Sequence, residues 1–307
     1  MKKLRIATRQ SKLALWQSEF VKKQLQSVYP DLEVELVGIT TEGDRRLDRA
    51  LSEIGGKGLF IKELEHALLN DQADIAVHSL KDLPSTLSDG FVLAASGFRE
   101  DVRDALVTGN GSGLQSLKQG AIVGSSSLRR QAQLKAIRTD LVFRPIRGNV
   151  DTRLQKLDNG EYDAIILAAA GLNRLGLGDR VSEHLSVEQS LPCPGQAALG
   201  IECCSEASEV RALVSALNDP LIESCILAER AVSRALGGDC SLPLAAFCNT
   251  EEGELIVRCL LSNADGSKII HGSARGDHSE NVGTEAAAQL FAQGAEKLLE
   301  TLREAKP

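Results

Sequence analysis

The sequence predicts an α/β protein made of two α/β lobes and a smaller C-terminal α+β domain. Three observations predict it. Short apolar runs alternate with amphipathic helical stretches through most of the chain, as expected of strands covered by helices. One junction, a strand followed by hydroxyl residues, arginine and a helix start, occurs twice, at Thr8–Ser11 and at Ser125–Arg130. After residue 243 the order changes to consecutive strands closed by a helix. With 307 residues, the chain has room for two or three domains, each with its own core.

In order, Leu4 to Ala7 reads as the first strand, and Ser11 as the N-cap of a helix on which Leu13, Trp16, Phe20, Leu25 and Val28 recur at helical spacing. Ser11 fits equally as a cap and, with Arg9 and the free backbone N–H groups, as part of an anion site. Glu33 to Thr40 is a second strand. The charged passage from Glu42 to Glu53 runs into Gly55-Gly56-Lys57-Gly58, which has neither the glycine spacing of a P-loop nor its Ser or Thr after the lysine. It reads as a mobile loop carrying the Lys57 cation. Phe60 to Leu69 is an amphipathic helix, Ile75 to Val77 a buried strand, and Phe91 to Ala95 another.

A charged crossing, Arg99 to Asp104, leads into the second unit. Ala121 to Ser125 is a strand and Ser127 starts a helix; Leu141 to Ile146 and Asp163 to Ala169 are further strands. Leu191 to Gly195 is a linker, and Ala198 to Cys203 a strand that returns to the first lobe. Helices follow over Ser205 to Leu217 and from Asp219-Pro220 to Leu236. Strands at Leu244 to Cys248, Glu254 to Ser262 and Lys268 to Ser273, the last two joined at Asp265-Gly266, precede a C-terminal helix.

Composition narrows the function. A net charge of -7 opposes broad nucleic-acid binding. No apolar run approaches a membrane span, and the N-terminus has no signal-peptide apolar region, so the expected location is cytoplasmic. Seven irregularly spaced cysteines make neither a disulfide framework nor a zinc site, and no metal is expected. Cys225 and Cys259 sit in apolar patterns, whereas Cys240 follows Gly237-Gly238-Asp239, where a thiol would be accessible for covalent chemistry, although taken alone an unreactive loop cysteine is the better reading.

Two features carry chemistry. In DIAVHSLKDLP, Asp74 to Pro84, a buried strand delivers His78, Ser79, Lys81 and Asp82 to its carboxyl end, the ligand side of open α/β sheets. A solvated Lys–Asp pair would explain these residues too. The second is the recurrence of arginines just past strand ends: Arg9, Arg129, Arg130, Arg147, Arg153 and Arg174, beside Ser, Gly or Asn. Guanidinium suits bidentate pairing with carboxylate, so the implied ligand carries several carboxylates or phosphates.

The stretches LRIATRQSKLALWQ, GGKGLFIKELE, DIAVHSLKDLP, GSSSLRRQAQL, IRGNVDTRLQKLDNGEYDAIILA and AERAVSRALGGDC, in that order, resemble the hydroxymethylbilane synthase (porphobilinogen deaminase) family over essentially the whole chain. The resemblance implies two lobes similar to type II periplasmic binding proteins. Domain 1 would span 1–98 with 198–217, domain 2 103–192 and domain 3 218–307. It implies a transferase that links four porphobilinogen molecules head to tail into hydroxymethylbilane, releasing ammonia, on a dipyrromethane cofactor joined to Cys240 by a thioether. Arg9, Ser11, Ser125, Ser127, Arg129, Arg130, Arg147, Arg153 and Arg174, with Lys81, would bind pyrrole acetates and propionates. Lys57 and Phe60 would belong to the substrate loop. Asp82 would be the catalytic carboxylate, assisted by Lys81, stabilising positive charge on pyrrole nitrogen. The chain would act as a monomer. Ala197, Glu53 and Asp239 depart from common family residues: glycine, lysine and glycine. A non-catalytic carboxylate-binding protein with similar lobes is the alternative.

Overall fold

The computed structural model describes residues 1–45, 61–238 and 242–304. Glu53, Lys57, Phe60, Asp239 and Cys240 lie outside the described residues. The first sheet begins with β1 (Lys3–Arg9) and β2 (Glu33–Ile39), paired in parallel and separated by helix α1 (Lys12–Val28). Ser11 caps α1 by accepting from the Ala14 N–H at 3.3 Å, and Ala14, Gln17, Ser18, Val21 and Leu25 form its buried stripe. A short helix α2 (Glu42–Arg45) and helix α3 (Lys62–Leu69) lead to β3 (Ile75–Ser79), which lies parallel to β1.

β4 (Phe91–Ala95) ends this run. The second sheet contains β5 (Asp104–Thr108), β6 (Ile122–Gly124), β7 (Val142–Arg144), β8 (Ala164–Ala168) and β9 (Glu183–Leu185). Helices α4 (Leu128–Ile137), α5 (Val150–Asp158) and α6 (Ala169–Arg174) are interleaved with it. The chain then returns as β10 (Leu199–Cys204), which inserts antiparallel between β3 and β4. The resulting orders are β2-β1-β3-β10-β4 and β7-β6-β8-β5-β9. Both sheets follow one plan: three parallel strands, then a strand antiparallel to both its neighbours.

Beyond α7 (Ser208–Val214), α8 (Pro220–Ala235) starts with proline at its first position and the Asp219 carboxylate accepting from the Leu221 and Ile222 N–H groups. Its apolar face packs on the antiparallel sheet β11 (Leu244–Glu251), β12 (Glu254–Ser262) and β13 (Ile269–Gly276). Where one C-terminal helix was expected there are two, α9 (Ser279–Ala292) and α10 (Ala295–Glu304), with Gly294 at φ 93° between them. β5 and β9 were not expected either: β5 begins at Asp104, the last residue of the charged crossing. No helix among the described residues is long and apolar enough to cross a membrane.

The two crossings between the first and second sheets meet at a buried polar hub. Asp104, at the start of β5 and fully buried, takes bonds from Arg129, Arg130, Ser190 and Gln196. Gln196 in turn accepts at its backbone carbonyl from Arg99, whose guanidinium grips Glu229 of α8 at 2.8 and 3.1 Å. Next to it, Ala197 is held at φ 68°, a left-handed conformation that costs a non-glycine residue about 1–2 kcal/mol.

Candidate active site

The site starts from the end of β3. Leu80 to Asp82 form a single 3-10 turn closed by Leu83 N–H to Leu80 C=O at 3.1 Å. Leu80 and Leu83 point inward, into a cluster with Ile61, Ala198 and Ile226. That leaves Asp82 exposed and Lys81 half-buried. The turn is fixed from behind: Leu80 N–H donates to Ala198 C=O at 3.0 Å, and a β-carbon on Gly200 would lie 2.8 Å from Leu80 Cδ1. Ser79 accepts from the Gln17 amide of α1 at 2.8 Å. Burial pulls the Lys81 ammonium below its ordinary value, against the stabilising influence of Cys193 and Asp82.

Asp82 and Lys81 open onto a cleft of about 330 Å³ between the two five-stranded sheets. Arg9, Ser11, Arg130, Arg147, Arg153 and Arg174 share its lining. The two sides also meet through Lys12 of α1 and Asp151 of α5, 2.7 Å apart. Arg130 is held by Asp104 at 2.7 Å and Ile166 C=O at 3.2 Å, with Ser127 capping α4 beneath it. Arg153 donates to Gly148 C=O at 2.8 Å. Burial, with Arg130 and Arg147 nearby, pushes the Arg153 guanidinium down to about 10. Arg174 bonds Ala197 C=O and lies over the Trp16 ring, 5.7 Å from its centroid, and burial brings it to about 10.

Three of the expected residues stand elsewhere. Arg129 turns from the cleft into the hub, bonding Asp104 at 2.8 Å and the Leu191 carbonyl, and is 3% exposed. Ser125 accepts from Ser127 N–H at 3.3 Å, and Ser127 accepts from Arg130 N–H at 3.4 Å. Neither serine lines the cleft, so both act locally on the α4 start. Sequence reasoning missed Asp104 and Gln196; a lone carboxylate opening the apolar run ALVT was the available signal for the first.

The residues present fit a polycarboxylate group such as dipyrromethane. Arg147 Nη1 is buried with no hydrogen-bond partner among the described residues. Cations outnumber carboxylates along the lining: Arg9, Lys12, Lys81, Arg130, Arg147, Arg153 and Arg174 face Asp82 and Asp151. A buried guanidinium without an acceptor is costly, so this cleft favours anions. Close to the turn, a β-carbon on Gly238 would lie 2.6 Å from Ser85 Oγ, and the Arg230 guanidinium donates to Pro84 C=O at 2.6 Å. The segment that leads into Cys240 therefore abuts the segment that follows Asp82.

Residues 4–212 match the family described as porphobilinogen deaminase, dipyromethane cofactor binding domain, and residues 223–292 match porphobilinogen deaminase, C-terminal domain. The chain is 51% identical over 301 residues to the porphobilinogen deaminase of Chromobacterium violaceum, covering 97% of each chain. It is 51% identical over 304 residues to that of Thiobacillus denitrificans, covering 98% of this chain and 99% of the relative. Among solved structures, the methionine-binding protein MetQ aligns with 72% of this chain and 92% of its own at 14% identity and a TM-score of 0.46.

Proposed function

The chain belongs to the porphobilinogen deaminase family, and from that premise we propose that Asp82 is its catalytic carboxylate and the cleft arginines its carboxylate receptors. It is an enzyme of tetrapyrrole biosynthesis, its substrate is porphobilinogen, and it has a dipyrromethane cofactor-binding domain. The alternative of a non-catalytic carboxylate binder falls with that membership. We read the reaction as head-to-tail linkage of four porphobilinogen units, each losing ammonia, ending in hydroxymethylbilane. When bound, the dipyrromethane supplies the pyrrole α-carbon to which the first unit is added; Cys240 is the thiol we assign to hold it.

The observation that carries this reading is an exposed carboxylate, Asp82, on a rigid turn inside a cleft dominated by cations. Loss of ammonia and attack by a pyrrole α-carbon both put positive charge on pyrrole nitrogen. Asp82 accepts the pyrrole N–H bonds, and its attraction strengthens as that charge grows, which lowers the barrier rather than merely tightening binding. Arg9, Arg130, Arg147, Arg153 and Arg174, with Lys81 and Ser11, hold acetate and propionate groups and so fix the pyrroles in register. Lys57 and Phe60 are assigned to the substrate loop. We divide the chain into domain 1, 1–98 with 198–217; domain 2, 103–192; and domain 3, 218–307. We further read it as a cytoplasmic monomer, which elution at the mass of one chain would support.

Asp82→Asn keeps shape and removes the charge. Turnover per cofactor-loaded molecule should fall by at least about two orders of magnitude, and Asp82→Glu should retain more activity than Asn. Loading is read by intact mass, where a two-pyrrole increment should vanish in Cys240→Ala. Near-normal turnover of fully loaded Asp82→Asn would remove Asp82 from this role, and an increment persisting in Cys240→Ala would remove Cys240 from its own.

A further inference from the structure

Beside the Leu80–Asp82 turn, β3 and β10 bring further ionisable side chains together, among them His78, which also lines the cleft. Glu202, in β10, is 0% exposed, and His78, in β3, is 6% exposed. His78 Nε2 stands 2.9 Å from Glu202 Oε2, yet the two are not aligned as a hydrogen bond, and neither Glu202 oxygen has a donor among the described residues. A buried carboxyl with no hydrogen bond is costly, so its nearest polar neighbour matters. That neighbour is the His78 ring. Burial pushes the guanidinium of Arg230, in α8, down to about 10, and Glu202 opposes the fall. Glu65 of α3 faces the same space; burial raises its carboxyl, the Ser88 hydroxyl pulls it back, and Glu202 adds to the rise.

These groups bracket the turn. His78 precedes Asp82 by four residues on the same strand and turn, and Arg230 donates to Pro84 C=O, two residues after Asp82. Past Arg230, α8 ends at Ala235 and the chain runs through Gly237 and Gly238 towards Cys240. Glu202 thus meets the strand that carries Asp82, and Arg230 ties the segment after the turn to the helix that leads to Cys240. We propose that Glu202 and His78 are positioning residues for the reaction: their contact ties β3, and the Asp82 turn that continues it, to β10, while Arg230 holds Pro84 to α8. Asp82 then keeps its aim at the nitrogens of a pyrrole tethered through the end of that helix. A misplacement of about 1 Å can cost about a hundredfold in rate, so even a modest slackening of the turn is measurable.

The inference rests on Asp82 being the catalytic carboxylate, so Asp82→Asn is measured in parallel. Glu202→Gln removes the ionisable carboxyl and keeps the shape; His78→Asn removes the ring from the other side. For each, intact mass gives the fraction of chains with the two-pyrrole increment, steady-state kinetics give kcat and KM per loaded molecule, and amide hydrogen exchange is followed over residues 80–85. Either variant should lower kcat at least about tenfold with KM within about twofold, and exchange over 80–85 should quicken. The double variant should be no slower than the worse single one, because both act through one cluster. Should Glu202→Gln fail to fold, His78→Asn and its exchange pattern decide the matter. Unchanged kcat and exchange in the folded, loaded variants, with Asp82→Asn inactive, overturn the positioning role and leave Asp82 standing. A fall in melting temperature with kcat per loaded molecule intact marks the pair as structural and overturns the proposal equally. Active Asp82→Asn would instead defeat the reading beneath it.

Discussion

On a helix, consecutive side chains point about 100° apart, so Arg129 and Arg130 at the start of α4 cannot face the same partner in the same way. Arg130 reaches the cleft lining, while Arg129 is enclosed with Asp104, Ser190 and Leu191. The two kinds of arginine should therefore fail differently. Arg147→Leu should weaken cofactor or substrate handling by about 1.5–3 kcal/mol of binding, with the melting temperature nearly unchanged, because its buried Nη1 has no hydrogen-bond partner among the described residues. Arg129→Leu should destabilise the protein by about 3 kcal/mol, since it leaves a buried carboxylate short of one partner. Denaturant unfolding beside porphobilinogen titration separates them; equal effects of both variants on both readouts would refute the distinction.

At the scale of elements, the return strand β10 supports the Leu80–Asp82 turn. Gly200 has no room for a side chain: an added β-carbon would lie 2.8 Å from Leu80 Cδ1 and 3.1 Å from Leu83 Cδ1. Gly200→Ala should cost about 1–3 kcal/mol of stability through overpacking and should slow turnover by displacing the turn. The same substitution at Gly109, where the space is open and the backbone is not left-handed, serves as the control for activity, and a Gly200→Ala enzyme as fast as that control would contradict the coupling. Much of this was legible in the sequence, because β1, β3, β8 and β10 are apolar runs with clear ends and α1, α4 and α8 carry caps. β5 and β9 were not: Asp104 hides the start of one, Glu183 and His184 occupy most of the other, and both depend on partners distant in sequence. For the site, the turn and the arginine pattern could be read from residue type, but which arginine meets the hub depends on how α4 is rotated.

For the whole molecule, the hub at Asp104 predicts how acid acts. Burial alone would raise its carboxyl, but Arg129 and Arg130 overcome that and hold it well below the ordinary carboxylate value. A carboxylate depressed in the folded state gives stability that is fully present above its unfolded value of about 3.9 and is lost as pH falls through the lower folded value. Stability from this group should thus be constant near neutrality and decline below about pH 4. Asp104→Asn should be less stable at neutral pH and show a shallower acid decline; an acid decline as steep as that of the unchanged protein would place the effect elsewhere. The order of the chain has a separate consequence for its birth on the ribosome. The first sheet needs β10, which is made after every strand of the second, and the Leu80 N–H bond to Ala198 cannot form before then. An emerging N-terminal segment can gather its helices, but its central strand lacks one neighbour until the second lobe has been synthesised. A chain truncated near residue 195 should therefore expose the β3 edge to chaperones or to aggregation, even though every residue of the Leu80–Asp82 turn is already present.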